Sequence, residues 1–356
     1  MVVGVCGYGY TGSSAYLDLL KEYEEFDFNE TKKVMEFTLP YQCGGLSDLE
    51  FHLTKAPVKH LAGDDAIDRF KRVINSNRRS FDRLTDNAFS TLSKEYINSL
   101  VQVEYNCHKY KFDSDYWFLN FKEKALSTVQ KKLERKFHRY IPLLKENKRY
   151  ISVYPEHFVE KTKRYISEIL LAAGLNEEKK GILLDQPFPP NNPGMVFHYF
   201  NDPYAIVVNR DPRDVYVQAK HLSFSFSRFV PHDDVKDFVT YYRSVIQHYE
   251  KDDPRRVLRL NFEDLVYKYD ETVNRIEDFL HISKHASPGK YFDPGLSIRH
   301  TQMMDVFPED QEDIAYIEKE LQEYLYPFEK FQKVTSRDGI YTSLSANKYK
   351  RSHKQL

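Results

Sequence analysis

Charge of one sign is what this sequence most lacks: 52 Lys and Arg stand against 53 Asp and Glu, a net charge of −1. No global field draws such a chain to nucleic acid, so any anion site must be local. Cysteine is scarce as well. Cys6, Cys43 and Cys107 are odd in number and scattered, the pattern of free thiols in a reducing compartment rather than of a disulfide framework. Neither C-x-x-C nor H-E-x-x-H spacing occurs, and no metal is expected. No run approaches the roughly 18 apolar residues of a spanning helix. The apolar start is too short for a signal segment and has no basic leader, so the expectation is a soluble, cytoplasmic protein.

Aromatic residues, by contrast, are abundant: 27 Tyr and 25 Phe bring the aromatic share to 15%. Such rings fill cores and also suit amphipathic binding surfaces. A chain of 356 residues can bury one large core or a core with a sizeable insertion. Residues 2–6 form a continuous apolar run, as in a strand buried on both faces, and a helical pattern follows from Ala15 to Tyr23. "VMEFTLP" (34–40) reads as a second strand, and "GGLSDLEFHL" (44–53) as a turn into a helix with Ser47 at the N-cap and Glu50 three residues on. From about 61 to 180 long charged segments carry apolar residues at three- and four-residue spacing, among them Leu92, Tyr96, Leu100 and Val103, with little strand signal. Strand signals return in "GILLDQPFPP" (181–190), "YAIVVN" (204–209) and "RRVLRLN" (255–261). The expected architecture is a P-loop-like three-layer α/β/α core with a central parallel sheet, formed by 1–60 and 181–356. A helical insertion occupies 61–180, and a basic, mobile tail occupies 345–356.

Two loops are suited to anions. After the first strand, "GYGYTGSS" fits the phosphate-loop pattern G-x-x-x-x-G-K-S/T except that Ser13 stands where the lysine belongs. Converging N–H groups and a helix N-terminus keep the cradle, while the charge aimed at distal phosphates is gone. In "NRDPRD" (209–214) Asp211 is a suitable N-cap, Pro212 falls at N1 and Asp214 at N3. Arg210 then ends a buried strand beside a helix N-terminus, and Arg213 is the residue to pair with the aspartates and knit the turn. Ligands of open parallel sheets bind beyond the carboxyl ends of the strands, so both loops can face one crevice.

"GYGYTGSS" resembles the 5′-phosphosulfate loop of the sulfotransferases that use 3′-phosphoadenosine 5′-phosphosulfate (PAPS). "VVNRDPRDVYVQ" resembles their 3′-phosphate segment, and "VLRLNFEDLV" with "TVNRIEDFL" their later strand and helix. The resemblance implies PAPS as donor, adenosine 3′,5′-bisphosphate (PAP) as product, and an acceptor hydroxyl. It places Gly9, Tyr10, Thr11, Gly12, Ser13 and Ser14 on the 5′-phosphosulfate and Arg210 on the 3′-phosphate. Two positions depart from the pattern. Tyr10 replaces the usual loop cation, for which Arg299 in "LSIRH" is the substitute, and Gln218 replaces a serine eight residues after the arginine.

Asp185-Gln186 lines up with the family's Thr-His pair, whose histidine is the general base. Glutamine cannot take a proton, whereas an aspartate raised by burial can, so Asp185 is the expected base. Asp48, Glu50 and His52 are second-line candidates; His198 and His221 read as packed or surface histidines; and Glu263-Asp264 reads as turn-stabilising. The expected activity is sulfuryl transfer to a carbohydrate or polysaccharide precursor, with no nucleic-acid partner. The rivals are a small-molecule or nucleoside kinase and a non-catalytic nucleotide-binding or interaction protein.

Overall fold

A computed structural model describes residues 1–28, 34–57, 60–107, 121–144, 146–175, 178–222, 229–246, 252–283, 285, 288–333 and 340, without the side chains of 60–62 and 121–123. The basic tail lies outside the described residues. The chain divides into two units, Met1–Thr38 with Gly174–Leu356, and Leu39–Ala173. Residues 39–60, expected in the core, therefore belong to the second unit.

The first unit is built on a five-stranded, all-parallel sheet. Its strands are β1 (Val2–Gly7), β2 (Phe26–Asp27), β5 (Gly181–Asp185), β6 (Pro203–Asn209) and β7 (Val257–Asn261), in the order β2-β5-β1-β6-β7. Strands buried on both faces need apolar residues at successive positions, and the runs VVGVC and AIVV supply them. On one face Val3, Val5, Leu183, Ile206, Val208 and Leu260 pack against helix α1 (Ser13–Leu20) and the helix Tyr269–Leu280. The helix Pro212–Val217 belongs to a separate apolar cluster with Phe238, Tyr242, Ile314 and Ile317. The chain leaves β1 toward one edge of the sheet and β6 toward the other, so the sheet has its switch point between β1 and β6.

Several expected elements shift. The 34–40 strand contracts to one bridge, Glu36 to Asp185. α1 begins two residues earlier than its apolar spacing indicates and ends at Leu20. Phe262–Tyr267, read from sequence as a turn, is a helix.

In the second unit, Gly45 rather than Ser47 is the N-cap of the helix Leu46–Glu50. The carbonyls of Leu39 and Pro40 accept the N–H groups of Leu46 and Ser47, which leaves a side-chain cap nothing to satisfy there. The helices His60–Leu84, Ala88–Leu100 and Phe158–Ala172 form its body, with Tyr96 stacked on Tyr165 at 4.4 Å between ring centres. An antiparallel pair, β3 (Val103–Cys107) with β4 (Asn147–Ile151), interrupts what the sequence presents as purely helical. No helix among the described residues is long and apolar enough to cross a membrane. Among the described residues the three cysteines form no disulfide.

Candidate functional site

The turn after β1 needs left-handed backbone at three positions: Gly9 (φ +90°), Tyr10 (φ +56°) and Gly12 (φ +85°). Glycine is free to adopt it, whereas Tyr10 bears the cost of a side chain there. Space is also short. A Cβ on Gly9 would lie 2.4 Å from the Phe229 ring, and one on Gly12 2.5 Å from Phe262. Gly12→Ala is therefore expected to destabilise the protein by about 2 kcal/mol or more, read as a lowered Tm. Among the described residues no side chain caps α1. Its positive end opens into this loop, as an anion site requires.

The loop is tied from several directions. Tyr8 N–H donates to Thr11 Oγ1 (3.1 Å), and Thr11 is buried. Thr11 Oγ1 thus secures the turn from inside as an acceptor. Ser13 is half-buried and Ser14 exposed at the mouth of the helix. Gln186 reaches back over the loop: its Oε1 accepts Gly7 N–H (3.0 Å), and its Nε2 donates to Ser13 Oγ (3.2 Å). Tyr241 donates its hydroxyl to Tyr8 O (3.1 Å). Arg259 on β7 donates to Tyr8 Oη (2.9 Å) while paired with Asp252. Arg259 was missed from sequence, since one arginine inside a strand carries no local signal.

Across the switch point, Arg210 is only 5% exposed. Its Nη1 donates to Tyr10 O at 2.6 Å and its Nη2 to His300 O, and its Cζ lies 5.0 Å from the centre of the Phe262 ring. Nε is buried with no partner among the described residues. The guanidinium therefore meets the glycine loop directly. Arg299 neighbours its second acceptor in the turn Ile298–His300 and is half-buried. Gln218 lies just past the helix Pro212–Val217, also half-buried.

The turn beneath Arg210 is held by acids. Asp211 caps its helix by accepting Arg213 N–H and forms an ion pair with Arg213 at 2.7 Å. Asp214 accepts the N–H groups of Gln302 and Met303 at 2.8 and 2.6 Å, fixing the segment that presents His300 O. Glu263 Oε1 accepts Asp211 N–H (2.9 Å), and Asp264 accepts from Asn261 and Tyr326. Arg213 and the Glu263-Asp264 pair thus hold turns, as read from sequence.

Burial, reinforced by Asp211 and Asp214, pushes the Glu263 carboxyl from 4.5 up to about 8. A raised folded value means stability present at low pH and lost as pH rises through that interval. Glu263→Gln keeps an oxygen for Asp211 N–H and does not titrate. At pH 9 it should be more stable than wild type by on the order of 1 kcal/mol or more, with the gain gone at pH 4, as denaturant titrations will read.

Asp185 sits half-buried at the carboxyl end of β5, directly before Gln186. Burial and the Glu36 carboxylate push its carboxyl up to about 7, with Lys21 opposing. Gln186, not Asp185, makes the contact with the loop. Asp48, Glu50 and His52 fall in the second unit, where Arg69 and His52 pair with Asp48 and Lys55 pairs with Glu50. His198 packs on Tyr199, and His221 stacks on Phe307 and pairs with Asp310.

A family model described as "Sulfotransferase family" matches residues 94–286, a span that includes Asp185, Gln186, Arg210 and Gln218. No curated protein matches the sequence. Among solved structures, the sulfotransferase domain from the curacin biosynthetic pathway is similar at 11% identity, over 92% of this chain and 98% of that one, with a TM-score of 0.38. The sulfotransferase domain from the Synechococcus PCC 7002 olefin synthase is similar at 13% identity, over 99% and 94%, with a TM-score of 0.36. Retinol dehydratase in complex with androsterone and inactive cofactor PAP is similar at 14%, over 99% and 79%, with a TM-score of 0.28. Likenesses this distant carry no argument about the site.

Proposed function

This chain belongs to the sulfotransferase family, and from that premise we propose that it transfers the sulfuryl group of PAPS to a hydroxyl of a carbohydrate or polysaccharide precursor. The observation that carries the donor assignment is the meeting of Arg210 with the loop carbonyl of Tyr10 at 2.6 Å. The contact supports a reading in which the buried guanidinium and the glycine cradle, both at the carboxyl ends of β1 and β6, serve the two anionic groups of one adenosine donor. Arg210 has five N–H donors, of which Nε has no partner among the described residues, so a 3′-phosphate would meet donor capacity already there.

In the proposed reaction the acceptor oxygen attacks sulfur, and the bond from sulfur to the 5′-phosphate oxygen breaks. PAP leaves with the electron pair, and the hydroxyl proton passes to Asp185. Loop amides and the N-terminus of α1 stabilise the charge that grows on the leaving phosphate. Arg299 would add the cation that Tyr10 does not supply, and Gln218 a further donor to the 3′-phosphate. For the acceptor, the support is an exposed flat face. Phe229 is 62% exposed and stacks on Tyr10 with ring centres 5.3 Å apart, directly over Gly9. The C–H face of a sugar can pack on such a ring. A cytoplasmic location accords with the balanced charge and the scarce, scattered cysteines.

The test is calorimetry with PAP and with ATP, followed by transfer from labelled PAPS to a panel of glycan and non-glycan hydroxyls. PAP binding with label on a glycan supports the reading in full. ATP preference, or no nucleotide binding, overturns it, and label only on non-glycan hydroxyls overturns the acceptor class.

A further inference from the structure

By the motif resemblance Gln186 stands where the family has its base, yet an amide has no usable basicity. Its place in the structure points to a different task. The backbone is left-handed (φ +52°) and its N–H donates to Val5 O at 2.9 Å, which swings the side chain over the glycine turn 179 residues away. Two contacts then fix the amide orientation. Gly7 N–H can only donate, so Oε1 must face it at 3.0 Å. Nε2, which can only donate, must therefore face Ser13 Oγ at 3.2 Å. Ser13 Oγ accepts, and its own proton is directed away from Gln186.

Resting on the donor reading, we infer that Gln186 is a positioning residue that sets the polarity of the loop: it holds Ser13 as a hydrogen-bond donor toward the 5′-phosphosulfate and removes Gly7 N–H from the cradle. With Thr11 Oγ1 taking Tyr8 N–H in the same way, the loop presents donors alone to the anion. A loop without lysine depends on that uniformity, because any acceptor turned inward would repel the phosphosulfate with no loop cation to offset it.

The experiment has one readout without ligand and two with PAP. Amide hydrogen exchange at Gly7 should speed up at least tenfold in Gln186→Met and stay slow in Gln186→Glu, which keeps the acceptor. Calorimetric PAP affinity should fall on the order of 10-fold to 100-fold in Gln186→Glu at pH 8, because the carboxylate turns the Ser13 proton toward itself and adds a charge. The deficit relative to wild type at the same pH should shrink as pH is lowered toward 5, which a purely structural role would not produce. Ser13→Ala should cost several-fold in the wild-type background and under twofold in Gln186→Met. Unchanged Gly7 exchange in Gln186→Met, wild-type affinity in Gln186→Glu, or full additivity with Ser13→Ala overturns the inference. Failure of the donor reading looks different: wild type with a protected Gly7 but no PAP binding, which removes the ligand half of this inference with it.

Discussion

Arg210→Ala is expected to weaken PAP binding by on the order of 10²-fold or more, the cost of removing a buried charge-assisted contact to phosphate. The size follows from the site. The guanidinium is nearly closed off from water and ends a strand beside a helix N-terminus, so its field is poorly screened. Arg210→Lys keeps the charge but not the planar fork that reaches Tyr10 O and His300 O together, and should still lose at least tenfold. Because Arg210 also ties the loop to the Ile298–His300 turn, each variant needs its Tm measured beside its affinity. A lysine variant that melts like wild type but binds PAP poorly locates the loss in the ligand contact. Affinity within threefold of wild type in the alanine variant would remove Arg210 from the donor site.

What was legible in the sequence was local. The glycine turn, the Asp211-Pro212 start of a helix and the apolar runs of β1, β5 and β6 state their structure within a few residues, and the described structure has each of them. Other features depend on partners far along the chain. The Gln186 bridge to Gly7 and Ser13 spans more than 170 residues, and the Arg259 contact with Tyr8 spans 251. Nothing in either neighbourhood marks them. The β3–β4 pair was hidden for a different reason. VEYNC alternates over only five residues, NKRYI does not alternate at all, and Val103 prolonged the helical stripe of Leu92, Tyr96 and Leu100, so the period-2 signal was overridden. Thr11 shows the converse limit: a loop motif says which residues are present but not what a hydroxyl accepts, and Thr11 Oγ1 accepts Tyr8 N–H.

Asp185→Asn should leave PAP affinity unchanged and lower kcat by on the order of 10²-fold or more, since it removes only the proton acceptor. The pH profile makes this specific. A base whose carboxyl titrates at about 7 gives a wild-type kcat/KM that rises up to pH 7 and then levels, a limb that the asparagine variant should lack. Glu36 is one cause of the raised value, so Glu36→Gln should move the limb to lower pH without abolishing activity. Stability supplies an independent reading. The folded value lies above the unfolded 3.8, so the folded state holds the proton across that interval and loses stability as pH rises through it. The amide of the asparagine variant does not titrate, so its stability relative to wild type should climb between about pH 4 and pH 7 and then stay flat, by about 1–3 kcal/mol in denaturant titrations. If that climb is seen while turnover is unaffected, Asp185 is a buried acid with no part in the chemistry, and the base must be sought among other groups at the carboxyl edge of the sheet.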